Sequence, residues 1–335
     1  MKKLIFKLTT SMYFLCSTSA AFSESLTVYS ALEEEEIAVY IKAAKKEMPD
    51  LDIDVLRLST GKLGARLLAE AGNPKADVIW GWAVTAMMDP QVVKLLEPVK
   101  VKGVEQLAPE FRDAKDRWFA QMGYMGAFCV NTDRLKQKGL SMPQSWADLA
   151  KPEFKGEIIM PDPNSSGTGY LHVNAVLQSL GLEKGWAQLE SVDPNMAQYT
   201  SSGSKPCKAA RTGEYVVGIS LAFTAMKSIE DGYPLEMVFP KGGVGYELEA
   251  SALLSSSKNK AAAQRFLDWS MSEKAISLFG QYKALITMPN VEQSEAAKAS
   301  GLPADLSSIL APVDFIESAN RQTEVKAQWR EKFGR

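Results

Sequence analysis

Short runs of strand-forming residues alternate with amphipathic helical stretches along the first part of the chain. Residues 26–29 have a strand pattern, and the helical stretch at 33–47 carries apolar residues on one face. Residues 51–58 and 76–80 return to strand patterns, with a second helical stretch at 61–71 between them. This βαβα order predicts a parallel sheet that is covered by helices.

The same alternation resumes in the second half of the chain. The patterns predict strands at residues 157–160, 215–220 and 235–239, and helices at residues 168–180 and 223–231. Because these segments lie far along the chain from the first group, we expect them to build a second α/β lobe.

Two apolar segments predict how the lobes are joined. Residues 122–131 resemble an extended segment that crosses into the second lobe, and residues 246–254 resemble the return. We therefore predict an α/β fold of two lobes joined by a hinge, with a ligand cleft between them. The predicted division is 24–123 plus 253–335 for lobe 1 and 124–252 for lobe 2.

The first residues have the composition of an export signal. Three lysines precede an apolar, acid-free stretch at 8–16, and small residues follow at 17–23. This order predicts a signal peptide over residues 1–23, with cleavage near Glu24 and export to the periplasm. Cleavage would remove three lysines and no acid, so the net charge would move from −2 to −5. Without a basic run, nucleic acid is not an expected partner.

Two cysteines, Cys129 and Cys207, lie beyond the predicted signal peptide. An even pair in an oxidising compartment fits one disulfide. Two buried thiols that never meet fit the sequence as well, since spacing along the chain does not give the distance between two Cα atoms.

Three predicted junctions between a loop and a helix combine hydroxyl groups with glycine. They are Ser59-Thr60-Gly61, Ser165-Ser166-Gly167-Thr168-Gly169 and Ser201-Ser202-Gly203-Ser204. Hydroxyl side chains cap helices, and free backbone N–H groups with the helix dipole favour a tetrahedral oxyanion. Any single junction could be an ordinary helix cap. Together they predict an anion site, to which Lys205 adds a charge unless it is a surface lysine.

Four further residues are candidates for contacts with a cationic part of the ligand. Glu33 follows the first predicted strand, and Glu249 lies in the returning segment. Trp82 and Tyr199 are candidate aromatic walls, since an aromatic face attracts a cation. A hinge salt bridge would explain Glu249 equally well, and the acidic run that Glu33 begins also suits a helix start.

Enzyme chemistry has little support in the sequence. Ser-x-x-Lys occurs twice, at Ser59–Lys62 and Ser202–Lys205, but the companion elements of Ser/Lys acyl-transfer enzymes are absent. The one histidine, His172, lies inside a predicted helix and is expected to be packed. A secreted Ser-dependent acyl-transfer enzyme is the alternative from another class. We expect no cofactor and no histidine-based metal site.

Several stretches resemble those of a known protein family. They are Leu26–Glu33, Ser59–Asn73, Ala76–Gly81, Ser145–Leu149, Met160–Gly169 and Gln198–Lys208. Across nearly the whole mature chain the sequence resembles the type II periplasmic binding proteins for 2-aminoethylphosphonate import, in a superfamily that includes ferric-iron-binding proteins. The resemblance implies a monomer whose lobes close on the ligand and deliver it to an ABC transporter permease.

The resemblance also implies roles for the hydroxyl junctions. Ser165, Ser166, Gly167 and Thr168 would bind the phosphonate, and Thr60 with the segment Ser202–Ser204 would complete the cradle. Another small oxyanion, such as a phosphate ester or a sulfonate, is the alternative ligand. Ferric iron is a further alternative, but iron-binding relatives use adjacent tyrosines where this chain has Leu221-Ala222-Phe223.

Overall fold

The computed structural model describes residues 24–334. The predicted signal peptide, residues 1–23, lies outside the described residues. No helix in the described part of the chain is both long enough and apolar enough to cross a membrane.

The described residues alternate strands and helices throughout. The strands are β1 (Glu24–Ser30), β2 (Leu51–Arg57), β3 (Val78–Ala83), β4 (Leu96–Glu97), β5 (Phe119–Asn131), β6 (Ile158–Pro161), β7 (Met196–Thr200), β8 (Val217–Leu221), β9 (Leu235–Val238), β10 (Tyr246–Leu254) and β11 (Leu285–Ile286). The helices are α1 (Glu34–Glu47), α2 (Thr60–Ala69), α3 (Val84–Met87), α4 (Pro90–Val93), α5 (Thr132–Gln137), α6 (Trp146–Leu149), α7 (Gly167–Leu180), α8 (Leu182–Val192), α9 (Lys205–Arg211), α10 (Ala222–Glu230), α11 (Lys260–Ser270), α12 (Glu273–Gly280), α13 (Glu295–Ala299) and α14 (Phe315–Phe333).

The strands form two groups that meet at β5. In the first lobe β2, β1 and β3 are parallel, and β10 runs antiparallel to β3. In the second lobe β6 runs parallel to both β8 and β7, and β8 runs antiparallel to β5. Strands β3, β6 and β8 are buried along their whole length, and helices join the parallel strands, as the alternating pattern predicted.

Strand β5 belongs to both lobes. Its first part pairs with β10, where Met122 lies opposite Glu249, and its second part pairs with β8, where Gly126 lies opposite Leu221. The backbone therefore passes from one lobe to the other within a continuous strand, and the predicted crossing at 122–131 corresponds to most of it.

Each lobe has its own aromatic core. In the first lobe Trp80 packs edge-on against Phe266, with ring centroids 5.2 Å apart. In the second lobe Phe128 packs edge-on against Trp146, with centroids 5.4 Å apart. All four side chains lie within buried clusters or at their margins, so each lobe excludes water from its own interior.

The C-terminal segment, which the predicted division places in lobe 1, contacts both lobes. Phe315 of α14 packs against a buried cluster of the first lobe. Ala297 and Leu302 pack in a buried cluster of the second lobe, and Val325 and Trp329 of α14 pack in its main core. The sequence pattern shows that such segments have an apolar face. It does not show which lobe covers that face, because both lobes offer apolar surfaces.

The cysteine pair is joined in the structure. Cys129 on β5 and Cys207 on α9 form a disulfide with a Cα–Cα distance of 5.3 Å. The bond ties the shared strand to the helix that follows the third hydroxyl junction, and both residues are buried.

Replacement of both cysteines by alanine should destabilise the protein by about 4 kcal/mol, since the bond closes a loop of 78 residues in the unfolded chain. Urea denaturation of the double variant and of the oxidised protein measures this difference. Reduced wild-type protein should behave like the variant. Equal unfolding midpoints for oxidised and reduced wild type would contradict the prediction.

Candidate functional site

A small cavity of about 40 Å³ lies between the two lobes. Its walls come from helix starts in both lobes and from strands β5 and β10. The lining residues are Ala31, Glu33, Glu36, Arg57, Ser59, Thr60, Gly81, Ala83, Tyr124, Ser166, Gly167, Thr168, Gly203, Leu221, Phe223, Glu249 and Lys283. A space of this size holds a few water-sized groups, so it fits a small ligand or a small part of a larger one.

One wall is built from hydroxyl groups and helix starts. Thr60 begins α2 in the first lobe, and Gly167 and Thr168 begin α7 in the second lobe. Ser166 caps α7 and accepts a hydrogen bond from the Gly169 N–H at 3.4 Å. The positive ends of two helices therefore face the same cavity from opposite lobes.

Glycine is required where these junctions meet. A Cβ atom on Gly167 would lie 2.5 Å from Thr60 Oγ1, and one on Gly203 would lie 2.2 Å from Thr168 Oγ1. Both distances are too short for a carbon atom. The glycines thus allow the three junctions to approach closely enough to surround one small group.

Two polar atoms of the cavity wall have no hydrogen-bond partner among the described residues. They are Ser59 Oγ and Glu249 Oε2. Leaving a buried polar group unpaired costs about 1–3 kcal/mol. Both atoms are therefore buried and unsatisfied in the protein without a ligand, one as a hydroxyl donor and the other as a carboxyl acceptor.

Glu33 joins the two lobes. Its Oε1 accepts a hydrogen bond from Arg57 Nη2 at 2.9 Å, and its Oε2 accepts one from Ser204 Oγ at 2.8 Å. Arg57 also donates from Nε to the Leu32 carbonyl at 3.0 Å. Because Ser204 belongs to the second lobe, this contact closes the cavity on its outer side.

Other contacts across the cleft accompany that one. The Gly61 N–H donates to the Ser165 carbonyl at 3.3 Å, and Lys208 Nζ lies 2.8 Å from Glu35 Oε1. The structure therefore has the lobes in direct contact, with the cavity between them.

The opposite wall contains a buried group of three charges. Lys283 Nζ lies 2.7 Å from Glu36 Oε1 and 2.8 Å from Glu249 Oε1. All three side chains are at most 5% exposed. Two buried carboxyl groups therefore share one ammonium group in this wall.

Burial dominates the ionisation of this group. It raises the pKa of Glu249 to about 7, although Lys283 acts in the opposite direction. Burial also raises the pKa of Glu36. For Lys283, burial disfavours the charged form, but the Glu249 and Glu36 carboxylates outweigh it and raise the pKa.

Not every predicted site residue lines the cavity. Trp82 is 1% exposed and donates from Nε1 to the Thr60 carbonyl at 3.1 Å, so it supports α2 from behind. Tyr199 donates to Asp193 at 2.8 Å, and its ring packs on Trp329. The expected aromatic wall is therefore corrected, because packing in the core takes both rings away from the cleft.

The outer part of the cleft holds the rest of the predicted residues. Ser202 and Ser204 line an adjacent outer space together with Lys205 and Glu33. The Ser202 and Ser204 hydroxyls lie 3.3 Å apart. Ser165 contributes its carbonyl to the contact between the lobes and does not line the inner cavity.

Sequence reasoning missed Arg57, Tyr124, Glu36 and Lys283. Glu33 was selected because it follows the end of a strand. Arg57 ends β2, so the same criterion could have selected it. Tyr124 lies in the predicted crossing segment, where burial raises its pKa well above the ordinary value and keeps the hydroxyl protonated. No local pattern marks Lys283, because its partners lie far away along the chain.

The expected packing of His172 agrees with the structure. It is 3% exposed, its Nε2 lies 2.9 Å from the Ser220 carbonyl oxygen, and burial lowers its pKa to about 4. It does not line the cavity. Residues 24–334 contain no group of three or more His, Cys, Asp or Glu side chains that could hold a metal ion.

Comparison with known proteins identifies the family. A family model described as "Bacterial extracellular solute-binding protein" matches residues 73–308. The chain belongs to this family. The prediction that the protein is not an enzyme is confirmed, since the family consists of solute-binding proteins.

Individual relatives of this solute-binding protein cover most of its length. An uncharacterized protein of Haemophilus influenzae is 33% identical over 259 residues, which are 75% of each chain. A probable ABC transporter periplasmic-binding protein of Sinorhizobium fredii, y4fP, is 25% identical over 93% of this chain and 90% of its own length.

A solved structure confirms the predicted fold of the solute-binding protein. The periplasmic binding protein AfuA from Actinobacillus pleuropneumoniae, with exogenous fructose-6-phosphate bound, has a TM-score of 0.85 and 29% sequence identity. The match covers 93% of this chain and 99% of AfuA. The two α/β lobes are thus the architecture of a periplasmic binding protein.

The buried carboxyl of Glu249 should make stability fall as pH rises. Its pKa is about 7 in the folded protein against an ordinary 4.5, so the folded state holds a proton that the unfolded state releases between these values. In the Glu249→Gln variant the side chain at this position has no titratable group. Its free energy of unfolding relative to wild type should therefore rise by up to about 3 kcal/mol from pH 4.5 to pH 7.

Urea denaturation at several pH values measures this difference. Glu236→Gln, which removes an exposed carboxyl group on β9, is the matched control. A stability difference between Glu249→Gln and wild type that stays constant across this pH range would show that Glu249 does not hold the proton.

Proposed function

We propose that this solute-binding protein is exported to the periplasm, captures a small phosphonate and delivers it to the permease of an ABC importer. The proposed ligand is 2-aminoethylphosphonate, and the proposed state in solution is a monomer. The observation that carries the proposal is the convergence of three junctions rich in hydroxyl groups and glycine, from both lobes, on one enclosed cavity.

The hydroxyl wall has the chemistry that a phosphonate group needs. Ser59, Thr60, Ser166 and Thr168 supply hydroxyl donors, and the starts of α2 and α7 supply backbone N–H groups. Hydrogen bonds to a charged oxyanion are worth about 1.5–3 kcal/mol each. Several such bonds from two lobes would hold a tetrahedral anion and orient it.

Closure follows from the same contacts. Ser204 reaches Glu33, Lys208 reaches Glu35, and the Gly61 N–H reaches the Ser165 carbonyl, so the closed form already has bonds of its own. A ligand that touches Thr60 in one lobe and Thr168 in the other adds bonds that exist only in this form. Binding would therefore shift the population of molecules toward closure.

A small phosphate ester is the second candidate, favoured by the similarity to AfuA with fructose-6-phosphate bound. The small volume of the cavity, about 40 Å³, favours the smaller ligand, since a hexose phosphate has more than twice as many heavy atoms as 2-aminoethylphosphonate. Ferric iron has less support, because Leu221 and Phe223 line the cavity where oxygen ligands would be needed.

Calorimetric titration of mature, ligand-free protein tests the proposal. The ligands are 2-aminoethylphosphonate, ethylphosphonate, phosphate, fructose-6-phosphate, taurine and ferric citrate. We expect the two phosphonates to bind, with the aminophosphonate the tightest ligand of the panel. Binding of fructose-6-phosphate, taurine or iron without binding of either phosphonate would overturn the proposed ligand and leave the family assignment intact.

Thr168→Val should weaken 2-aminoethylphosphonate binding by at least about tenfold, because the variant keeps the shape of the side chain but loses one hydroxyl donor to the anion. Thr323→Val, at an exposed position of α14, is the matched control and should bind like wild type. Unchanged affinity of the Thr168 variant in the same titration would remove the α7 junction from the site.

A further inference from the structure

We infer that Glu249, held by Lys283, is the residue that selects the ligand's amine, and that it requires an ammonium group with at least one N–H. The protein would therefore discriminate in favour of primary aminoalkyl phosphonates and against both uncharged and quaternary analogues. This inference rests on the proposed function, since it concerns the cationic end of the same ligand.

The free oxygen of Glu249 is the first support. Oε1 accepts from Lys283 Nζ at 2.8 Å, whereas Oε2 has no partner among the described residues, although the side chain is only 5% exposed and lines the cavity. An ionised carboxylate oxygen accepts about two hydrogen bonds. An N–H from a ligand in the cavity would satisfy the buried oxygen.

The charges around the cavity are the second support. Three carboxylates, Glu33, Glu36 and Glu249, line it together with two cations, Arg57 and Lys283. Arg57 is paired with Glu33, and Lys283 is shared between Glu36 and Glu249. With all five groups ionised, one negative charge has no counterion, and it lies at the wall that Glu249 forms.

Glu33, the other predicted amine contact, is poorly placed for that role. Both of its carboxylate oxygens are occupied, one by Arg57 at 2.9 Å and the other by Ser204 at 2.8 Å. An ammonium group at Glu33 would have to compete with the contact that joins the lobes. We therefore assign closure to Glu33 and cation recognition to Glu249.

The requirement for an N–H follows from burial. A quaternary ammonium group has no hydrogen to donate, so Glu249 Oε2 would remain unpaired in a region without water. Its methyl groups would also need more space in the cavity than the hydrogens of a primary ammonium group. A primary ammonium group is small and carries three donors.

The ionisation of Glu249 is consistent with this assignment. Burial raises its pKa to about 7, so in the empty site the carboxyl group is only partly ionised near neutral pH. A ligand ammonium group would favour the ionised form, since an opposite charge nearby stabilises a carboxylate.

Titration of wild type and Glu249→Gln with three phosphonates tests the inference. The ligands are 2-aminoethylphosphonate, ethylphosphonate and 2-(trimethylammonio)ethylphosphonate. Wild type should bind the primary amine at least about tenfold more tightly than either analogue. Glu249→Gln should bind the primary amine about tenfold or more less tightly, and its preference for the primary amine over ethylphosphonate should be lost, because no carboxylate is left to accept the ligand's N–H.

Two further variants control the experiment. Glu236→Gln removes one exposed negative charge from β9 and should leave all three affinities as in wild type. Glu249→Asp keeps the charge but withdraws the carboxylate by one methylene group, so it should show an intermediate loss toward the primary amine. It also provides the test if the glutamine variant does not fold, as judged by circular dichroism and thermal unfolding.

The outcomes separate this inference from the proposed function. Equal affinity of wild type for the aminophosphonate and ethylphosphonate, or a Glu249→Gln variant that keeps the wild-type preference, would overturn the inference while phosphonate binding stands. Equal binding of the primary and quaternary amines would overturn the N–H requirement. Failure of wild type to bind any of the three phosphonates would overturn both the inference and the proposed function.

Discussion

The two lobes share strand β5, and this shared strand determines where a ligand site can form. Backbone hydrogen bonds tie its first part to β10 in one lobe and its second part to β8 in the other. Strand β5 therefore connects the sheets of the two lobes directly. Tyr124 on β5 and Glu249 on β10 lie at this crossing and line the cavity, so the base of the site belongs to the hinge itself.

The cavity is lined by hydrogen-bond donors on one wall and by buried ionisable side chains on another. One wall has hydroxyl groups and two helix starts, which favour an anion, and the other has Glu249 with the buried pair of Lys283 and Glu36. Each wall has one buried polar atom without a hydrogen-bond partner among the described residues, Ser59 Oγ on the first and Glu249 Oε2 on the second. A small molecule with an anionic and a cationic end would satisfy both at once, and this complementarity explains how so small a cavity could be selective.

Local patterns in the sequence were enough to predict most of the fold. The alternation of strands and helices, the crossing at 122–131 and the return at 246–254 all correspond to elements of the structure. The stretch at 258–279 has helix-forming residues throughout, but the structure divides it into α11 and α12. Ser272 caps the start of α12, where its side chain accepts a hydrogen bond from the Ala275 N–H. The position of α14 was beyond prediction, since its apolar face does not identify the lobe that covers it.

The wall of hydroxyl groups and helix starts was predictable from local sequence, because a helix start and its capping hydroxyls are neighbours in the chain. Thr60, Ser166, Gly167 and Thr168 all line the cavity. The charged wall was not predictable as a unit: Glu36, Glu249 and Lys283 come from three distant segments, and only the folded chain brings them together. Trp82 was selected from its place at a strand end, but the direction of its ring depends on core packing.

A crystal structure of the protein with 2-aminoethylphosphonate bound tests most directly whether the two walls bind the two charged ends of the ligand. It should have the phosphonate oxygens on the Ser166–Thr168 junction and on Thr60, and the ligand nitrogen about 2.8 Å from Glu249 Oε2. A phosphonate bound beside Arg57 in the outer cleft, or a ligand whose amine points away from Glu249, would contradict the account.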